Sequence, residues 1–296
     1  MKKHDDLMKI KAIVPWFGGK RNLADRIITE LGPHTCYWEP FCGSMAVLMA
    51  KPFVSMETVN DLHGDLINLA RVVHDDAASV KLFERLSRTA CAEPLHRSAT
   101  ERSRARGKCP AGSLDVDRAM DYFLCAWLGR NGVAGTSWYN QGFCRRFTKN
   151  GGHTAKRFVS AVESIPSWWE RLRQVTILND DGFDLLERID DASGIVIYLD
   201  PPYLVKGAKY IHDFDTWDHH KLAMATRRFT KTRIVISYYE HSRLAQLYPG
   251  WTKLSFNVSK VMASQGKRGA KNDIRATEVL LINGPSYATP DSGGAA

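Results

Sequence analysis

The stretch GIVIYLDPPY, residues 194–203, decides the fold of this 296-residue chain. Its apolar, β-branched run Ile195–Leu199 is typical of a strand buried on both faces, and hence of a central strand in a parallel sheet. Two prolines follow, and because proline cannot donate to a sheet ladder, the strand ends with Asp200 at its carboxyl end. In open α/β sheets, ligands bind at that edge.

The four residues Asp200, Pro201, Pro202 and Tyr203 suit a planar substrate that carries an amino group. The Asp200 carboxylate and the Pro201 carbonyl can each accept one hydrogen of an exocyclic NH2, which points the nitrogen lone pair at an electrophile. Tyr203 can hold a base face-on, where stacking contributes about 1–3 kcal/mol. An ordinary strand-to-loop turn with a satisfied Asp is the alternative interpretation. The complete acid-Pro-Pro-aromatic sequence at a buried strand end favours a catalytic site.

The composition of the chain limits the kinds of partner that it is expected to have. The 41 Lys and Arg against 32 Asp and Glu give a formal charge of +9, consistent with a polyanionic partner. No apolar run approaches the roughly 20 residues of a membrane span, and the N-terminus lacks the apolar core of a signal peptide. We therefore expect a cytoplasmic protein without a membrane partner. The six cysteines show no Cys-x-x-Cys pair or zinc spacing, which predicts free thiols and no metal site.

The N-terminal part has the pattern of a nucleotide-binding unit. A glycine pair before Lys20 precedes a helical pattern that ends at Leu31, and a strand over 37–41 leads through Gly43 into a helix over 45–50. The next strand, over 57–60, ends at Asp61, which lies 18 residues after Gly43. An acid at this spacing can accept hydrogen bonds from ribose hydroxyls, whereas capping of the following helix is the alternative role.

The middle of the chain is basic. Residues 81–108 hold eight Lys or Arg against three Glu, and residues 91–113 predict a loop because large apolar residues are few. Such a segment either binds along the phosphate backbone of a nucleic acid or is a solvated linker. After a helical pattern over 116–128, residues 129–157 interleave basic and aromatic side chains, as nucleic-acid surfaces do.

The C-terminal part completes the predicted sheet. A strand over 175–178 precedes Asp181, which either caps the helix over 183–189 or reaches a bound ligand. A strand over 232–237 and two strands over 251–258 and 277–282 follow, the last two without a helix between them. The connecting loop, residues 259–275, is rich in Lys, Arg and Gly.

These motifs together resemble a known family. The acid-Pro-Pro-Tyr sequence is similar to the catalytic tetrapeptide of methyltransferases that act on adenine N6 or cytosine N4. From about residue 15 to residue 282, the chain resembles the Dam-type (D12 class) DNA adenine-N6 methyltransferases in motif order. The Trp-x-Gly-Gly-Lys element at residues 16–20 and the segment over 59–69 carry this resemblance. The chain departs from the family at the Gly-x-Gly turn, where Met45 stands in place of the second glycine.

The resemblance implies an α/β class I S-adenosylmethionine-dependent methyltransferase fold, that is, a Rossmann-like doubly wound sheet with a terminal β-hairpin. It also implies a small, mostly helical target-recognition insertion. The expected domains are a catalytic domain over 1–75 and 174–284, an inserted region over 76–173 and a disordered tail over 285–296. The implied cofactor is S-adenosyl-L-methionine, held by Trp16, Gly18, Lys20, Glu39, Phe41, Gly43, Asp61, Asp181 and Asp200. The implied partner is double-stranded DNA, contacted by Arg130, Asn131, Arg145, Lys267 and Arg268.

The function implied is site-specific methylation of adenine N6 in DNA by a bacterial or phage-encoded enzyme that flips the base out of the duplex. Cytosine-N4 chemistry uses a similar tetrapeptide, and an adenine methyltransferase acting on RNA remains an alternative. A catalytically silent DNA-binding protein of the same fold is a third possibility. A cytosine-C5 enzyme is disfavoured, because it needs a cysteine nucleophile and the sequence has no Pro-Cys dipeptide.

Overall fold

A seven-stranded sheet forms the centre of the protein. The computed structural model describes residues 9–16, 18–129, 134–135, 142–145, 153–204, 211–259 and 275–288, with backbone alone at 258–259 and 275–276. The sheet order is β3-β2-β1-β4-β5-β7-β6, in which the first five strands of the chain run parallel and β7 is antiparallel to both β5 and β6. The strands are β1 Cys36–Glu39, β2 Met56–Asn60, β3 Thr176–Leu178, β4 Ile195–Leu199, β5 Arg233–Tyr239, β6 Thr252–Ser259 and β7 Arg275–Ile282.

The structure confirms the predicted fold class. The strand β4 lies between β1 and β5 at the centre of the sheet, and β6 with β7 forms the terminal hairpin. The side chains of β4 alternate between two hydrophobic clusters, with Val196 and Tyr198 in one cluster and Ile197 and Leu199 in the other. Successive side chains of a strand point to opposite faces of its sheet, so one cluster lies on each face. Helices contribute to both clusters and therefore cover both faces, as in a doubly wound fold.

Eleven helices surround the sheet within the ranges given above. Those from α1 to α8 contribute to the first cluster or pack near it, and α9 to α11 contribute to the second. No helix of the described ranges combines the length and apolarity that a bilayer crossing requires. The helices are α1 Ala24–Leu31, α2 Ala46–Ala50, α3 Gly64–His74, α4 Asp76–Ser87, α5 Glu93–Arg106, α6 Val116–Leu128, α7 Thr154–Val162, α8 Ile165–Leu172, α9 Gly182–Arg188, α10 Thr216–Thr226 and α11 Leu244–Leu247.

The helices of residues 76–173, the expected insertion, share their core with the rest of the chain. Every residue of α6 from Asp121 to Leu128 is buried, and Trp127 stacks on Trp168 of α8 with ring centroids 6.5 Å apart. The Trp127 indole donates to the carbonyl of Ile13, and that of Trp168 donates to the carbonyl of Ile10. The insertion is therefore anchored to the segment that leads into the first motif.

The prediction of a loop over 91–113 is wrong, because α5 occupies most of this range. Pro94 stands in the first turn, where its missing N–H is not needed. The side of α5 that faces α6 buries the small side chains Ala99 and Thr100. Arg102 and Arg106 both bind the buried carboxylate of Asp121 on α6, each at 2.6 Å. Small buried residues and ion pairs stabilise this helix, so its sequence lacks the stripe of large apolar residues by which most helices are recognised.

The prediction of a disordered tail is wrong for residues 285–288, which make ordered contacts with the rest of the protein. The carboxylate of Glu30, which is buried at the end of α1, accepts hydrogen bonds from the Ser286 hydroxyl at 2.7 Å and from the backbone N–H groups of Tyr287 and Ala288 at 3.1 Å. Arg233 of β5 donates to the Pro285 carbonyl at 2.9 Å. Residues 285–288 are thereby fixed against α1 and β5, and residues 289–296 lie outside the described residues.

Candidate active site

A pocket opens at the carboxyl ends of β1, β2 and β4. About 840 Å³ of space within it is free of protein atoms, a volume that includes open solvent at its mouth. Because parallel strands all end at the same edge, residues far apart in sequence meet here. The lining residues that were predicted from sequence are Trp16, Lys20, Glu39, Phe41, Gly43, Asp61, Asp200, Pro201, Pro202 and Tyr203.

Asp200 lies directly after β4, and one of its carboxylate oxygens is already occupied. Lys20 Nζ lies 2.9 Å from Asp200 Oδ1, and the Tyr203 hydroxyl lies 3.3 Å from the same oxygen. The described residues make no hydrogen bond or ion pair to Oδ2, and 19% of the side chain is accessible. The carboxylate therefore keeps one oxygen available to accept a hydrogen from a ligand in the pocket.

Lys20 is buried in the floor of the site. The side chain is 4% accessible, and its ammonium group binds the Gly18 carbonyl at 2.6 Å, Asp200 Oδ1 at 2.9 Å and Glu278 Oε1 at 3.1 Å. These three acceptors match the three hydrogens of an ammonium group. Burial lowers the pKa of Lys20, but the attraction to both carboxylates outweighs it and the pKa ends above its ordinary value, so the lysine is charged.

The Asp200 carboxylate is less acidic than an exposed one. Burial raises the pKa of Asp200 to about 6, the positive charge of Lys20 opposes that rise, and the negative charge of Glu278 adds to it. The group is ionised at neutral pH, and it is also a better proton acceptor than an ordinary aspartate. A perturbed carboxylate in a cleft is typical of a catalytic site.

Glu278 is a site residue that the sequence did not reveal. It lies in β7, is 7% accessible, and its Oε1 accepts the Tyr203 hydroxyl hydrogen at 2.7 Å in addition to binding Lys20. In the sequence it is a single acid beside the apolar run of the last strand, as many solvent-facing strand residues are. Only the antiparallel return of β7 beside β5 brings it to the tetrapeptide.

The Tyr203 ring is backed by other rings. Its edge packs on Tyr239 with centroids 4.5 Å apart at 77°, and Tyr238 lies 5.8 Å away. The Lys20 ammonium is 4.9 Å from the Tyr203 centroid. These contacts hold in place a ring that lines the pocket, and stacking on a planar ligand requires such a fixed ring.

The glycine turn and the end of β2 are joined directly. The backbone N–H of Gly43 donates to Asp61 Oδ2 at 2.9 Å, and the N–H of His63 donates to Oδ1 at 2.9 Å. Met45, which replaces the second glycine of the family pattern, has φ 59° and ψ 30° and is fully buried. It is the only non-glycine residue of the described chain with a positive φ. The turn thus keeps a glycine-like backbone in spite of the substitution, at a strain of about 1–2 kcal/mol.

Trp16 closes one side of the pocket between two glycines. A Cβ on Gly43 would lie 2.8 Å from the indole Nε1, and a Cβ on Gly135 would lie 2.2 Å from the opposite edge of the ring. A parallel β-bridge also links Trp16 to Ala134. The backbone N–H of Ile211 donates to the Gly135 carbonyl at 3.0 Å. Trp16 therefore joins the glycine turn to Ala134 and Gly135.

Two further lining residues are a buried glutamate and a phenylalanine. Glu39 at the end of β1 is 2% accessible, and burial raises its pKa to about 8, although the Tyr37 hydroxyl that donates to it at 2.9 Å opposes the rise. Phe41 packs edge-on against Phe214 at 5.6 Å. A Cβ on Gly182 would lie 2.6 Å from the Phe41 ring, so that contact requires glycine.

Several predicted residues lie apart from the lining or outside the described residues. Gly18 contributes its carbonyl to Lys20, and Asp181 caps α9 by accepting from Phe183 N at 2.7 Å, so its contact with a cofactor stays a prediction. Arg145 makes a two-hydrogen-bond pair with Glu93 at the start of α5, at 2.6 and 2.7 Å. Four predicted DNA contacts lie outside the described residues: Arg130, Asn131, Lys267 and Arg268.

The pocket fits a cationic, nucleoside-containing cofactor. Among the described lining residues, Lys20 is the single lysine or arginine, and two carboxylates already share its charge. Asp61 and Asp200 leave the wall negatively charged, which suits the sulfonium and ammonium charges of S-adenosylmethionine. Glu39, with its raised pKa, is mainly protonated at neutral pH and adds a polar group without a charge. The described residues contain no group of three or more His, Cys, Asp or Glu arranged to hold a metal ion.

Comparisons with known proteins point to one family. A family model described as D12 class N6 adenine-specific DNA methyltransferase matches residues 16–262. The DNA adenine methylase of Escherichia coli (strain K12) is 26% identical over 296 residues, covering 96% of this chain and 99% of that protein. The Retron Ec67 DNA adenine methylase of Escherichia coli is 26% identical over 278 residues, covering 93% and 92%. The DNA adenine methylase of Serratia marcescens is 26% identical over 246 residues, covering 79% and 85%.

Proposed function

The chain belongs to the D12 class of N6 adenine-specific DNA methyltransferases, and we propose that it transfers a methyl group from S-adenosylmethionine to the N6 of an adenine flipped out of DNA. The enzyme is an adenine-specific DNA methyltransferase, and the alternatives of an RNA substrate or a silent DNA-binding protein are not favoured. The observation that carries the proposed site is Asp200, which lines the pocket and whose Oδ1 is fixed by Lys20, while its Oδ2 has no hydrogen-bond partner among the described residues.

The residues of the tetrapeptide have separate tasks in this proposal. Asp200 Oδ2 and the Pro201 carbonyl accept the two hydrogens of the adenine amino group. Pro202 keeps the chain rigid after the strand, and Tyr203 holds the base by stacking, worth about 1–3 kcal/mol. A base inside the duplex cannot reach this pocket, so it has to be extruded at an expense of a few kcal/mol.

The cofactor, when bound, supplies a methyl group on a positively charged sulfur. The residues that would hold it are Trp16, Glu39, Phe41, Gly43 and Asp61, which line the pocket around the glycine turn. We propose that Asp61 accepts ribose hydroxyls, since each of its oxygens uses one backbone N–H and retains a second lone pair. Asp181 is proposed to approach the adenine of the cofactor from the start of α9.

Asp200 acts mainly as an oriented acceptor. Its ionised Oδ2 polarises the amino group and points the nitrogen lone pair away from the carboxylate, toward the cofactor side of the pocket. After the nitrogen becomes cationic it loses a proton, and a carboxylate with a pKa of about 6 accepts that proton from it. Lys20 keeps Asp200 ionised until that point.

DNA is proposed to be held by the inserted region over 76–173 and by the loop between β6 and β7. The proposed contacts are Arg130, Asn131, Arg145, Lys267 and Arg268. Basic side chains of this kind bind phosphates and fix the register of the enzyme on the duplex. Of these residues, Arg145 is described, and its surface pair with Glu93 is weak enough to be exchanged for a phosphate.

The proposal is tested by transfer of tritiated methyl groups from S-adenosylmethionine to DNA and to RNA, followed by digestion and identification of the modified nucleoside. We expect N6-methyladenine in DNA. Asp200→Ala should lower the rate by at least about 10²-fold while DNA affinity stays largely intact, because the flipped base is the only part of the DNA that the carboxylate is proposed to contact. Glu187→Gln, which removes an exposed carboxylate on α9, is the control. N4-methylcytosine, product in RNA alone, or equal rates for wild type and Asp200→Ala would refute the proposal.

A further inference from the structure

The carboxylate of Glu278 is buried against the catalytic tetrapeptide without belonging to it. It reaches the site from β7, where it is paired in register with Tyr239 of β5, and Tyr239 in turn packs against the Tyr203 ring. Glu278 is 7% accessible, and its Oε1 contacts Lys20 and Tyr203. A buried carboxylate is energetically expensive unless it is paired, so its position calls for a physical explanation.

Lys20 does not require Glu278 for charge balance. Lys20 and Asp200 alone form a neutral pair at 2.9 Å, which would satisfy both charges. Glu278, at 3.1 Å from the same ammonium group, adds a second carboxylate and gives the cluster of three residues a formal charge of −1. The attraction that would otherwise neutralise Asp200 is thereby divided between two carboxylates.

The Tyr203 hydroxyl is oriented by Glu278 more than by Asp200. A phenol has one hydrogen to donate, and the distance is 2.7 Å to Glu278 Oε1 against 3.3 Å to Asp200 Oδ1. The shorter distance assigns the hydrogen to Glu278. Glu278 thus fixes the rotation of the aromatic ring on which the flipped base is proposed to stack.

We propose that Glu278 is a positioning residue for methyl transfer, which shares Lys20 with Asp200 and anchors Tyr203 so that Asp200 Oδ2 meets the substrate amino group with its negative charge undiminished. The inference rests on the proposed role of Asp200. It adds a residue from the last strand to a site otherwise built at the ends of β1, β2 and β4.

The electrostatic consequence has a definite sign. Glu278 is one of the groups that raise the pKa of Asp200, after burial, whereas Lys20 and the Tyr203 hydroxyl lower it. Removing the charge of Glu278 while keeping its shape lowers that pKa, and activity then persists to lower pH because Asp200 works in its ionised form. The titratable groups of the described chain that face Asp200 are Lys20, Glu278, Tyr203, Glu39, Tyr198, Tyr238 and Tyr239.

The test is the single-turnover rate of N6-methyladenine formation between pH 5 and 9, measured for wild type and Glu278→Gln. We expect the rate on the alkaline plateau to fall about tenfold, because Asp200 becomes a poorer acceptor. The acid limb of the pH–rate profile, where the rate falls as Asp200 becomes protonated, should move to lower pH by about one unit. Affinities for S-adenosylmethionine and DNA should stay within about twofold, since Glu278 touches neither ligand directly.

Two further variants separate charge from structure. Tyr203→Phe removes the hydroxyl that bonds to Glu278 but removes no charge, so its rate should fall. Its acid limb should move up, because the hydroxyl lowers the pKa of Asp200. Glu240→Gln is the matched control, since Glu240 follows β5 beside β7, is exposed, and binds Lys253 at 2.9 Å on the surface. It should leave both the rate and the limb as in wild type.

The outcomes are distinguishable. If Glu278→Gln has the wild-type rate, or loses rate with an unmoved acid limb, Glu278 has no charge-setting role and the inference is overturned. If Glu278→Gln fails to fold, an upward shift of the acid limb is still required of Tyr203→Phe, and an unmoved or downward-shifted limb there overturns the inference. Absence of N6-methyladenine from the wild-type reaction would overturn the proposed function and this inference with it.

Discussion

The charge balance around Lys20 leads to a prediction about stability. Lys20→Met keeps the length and apolar stem of the side chain and removes the ammonium group that joins Asp200 to Glu278. At an effective dielectric constant of about 20, contacts of 2.9 and 3.1 Å correspond to a gross attraction of about 5–6 kcal/mol each. Desolvation offsets much of this attraction, and breaking a buried pair by removing one partner costs about 3–5 kcal/mol. We therefore expect the free energy of unfolding at pH 8 to fall by about that amount.

The loss should depend on pH. The pKa of Asp200 in the folded protein is about 6, above its ordinary value of 3.8, so the folded state binds this proton more tightly than the unfolded state. The contribution of this group to stability is therefore largest below about pH 4, declines as the pH rises to about 6, and is constant above. Lys20 lowers the pKa of Asp200, so without Lys20 the stabilising contribution of the protonated Asp200 persists to higher pH. The penalty of Lys20→Met should therefore be smaller at pH 5.5 than at pH 8, by at least about 1 kcal/mol.

Urea unfolding followed by tryptophan fluorescence at the two pH values measures both quantities. Lys253→Met is the control, because Lys253 pairs with Glu240 on the surface, and it should change stability by less than about 1 kcal/mol at either pH. The double variant Lys20→Met with Glu278→Gln should recover part of the loss, since one of the two unpaired carboxylates is gone. A loss below 1 kcal/mol for Lys20→Met, or an equal loss at both pH values, would refute this account of the site.

Two further predictions concern DNA and cofactor binding. Lys267→Ala with Arg268→Ala should weaken DNA binding and reduce the slope of log affinity against log salt by about 2, as measured by fluorescence anisotropy; an unchanged slope would remove this loop from the interface. Gly135→Ala should weaken S-adenosylmethionine binding about tenfold in calorimetry, because its Cβ would displace Trp16, whereas Gly112→Ala, with a similar φ and open space around it, should leave the affinity unchanged. Equal affinities for the two glycine variants would contradict the role assigned to Trp16.

Much of the fold could be predicted because its signals are local. The run Ile195–Leu199 and its two prolines define the central strand and its end, and α6 carries a continuous apolar periodicity. The helix α5 was missed because its stability comes from Ala99, Thr100 and the pairs with Asp121, none of which gives an apolar stripe. Contacts between elements, rather than propensity within one, decide such a segment.

The site was predictable in part for the same reason. Residues at strand ends, such as Asp61 and Asp200, follow from the rule that parallel strands end at one edge. Glu278 could not be found this way, because it lies on an antiparallel strand, and the sequence of that strand does not show its register with β5. The left-handed backbone of Met45 was equally hidden, since a buried turn can impose that conformation on a residue that disfavours it.

The central claim is that the Asp200 carboxylate accepts a hydrogen of the adenine amino group. The most direct measurement is a crystal structure of the enzyme with S-adenosylhomocysteine and a duplex that contains the mapped target adenine. We expect N6 within about 3 Å of Asp200 Oδ2 and of the Pro201 carbonyl, with the cofactor sulfur on the opposite side of the amino group. A flipped adenine whose N6 lies away from Asp200, or an Asp200 carboxylate with both oxygens turned to Lys20, would contradict the account.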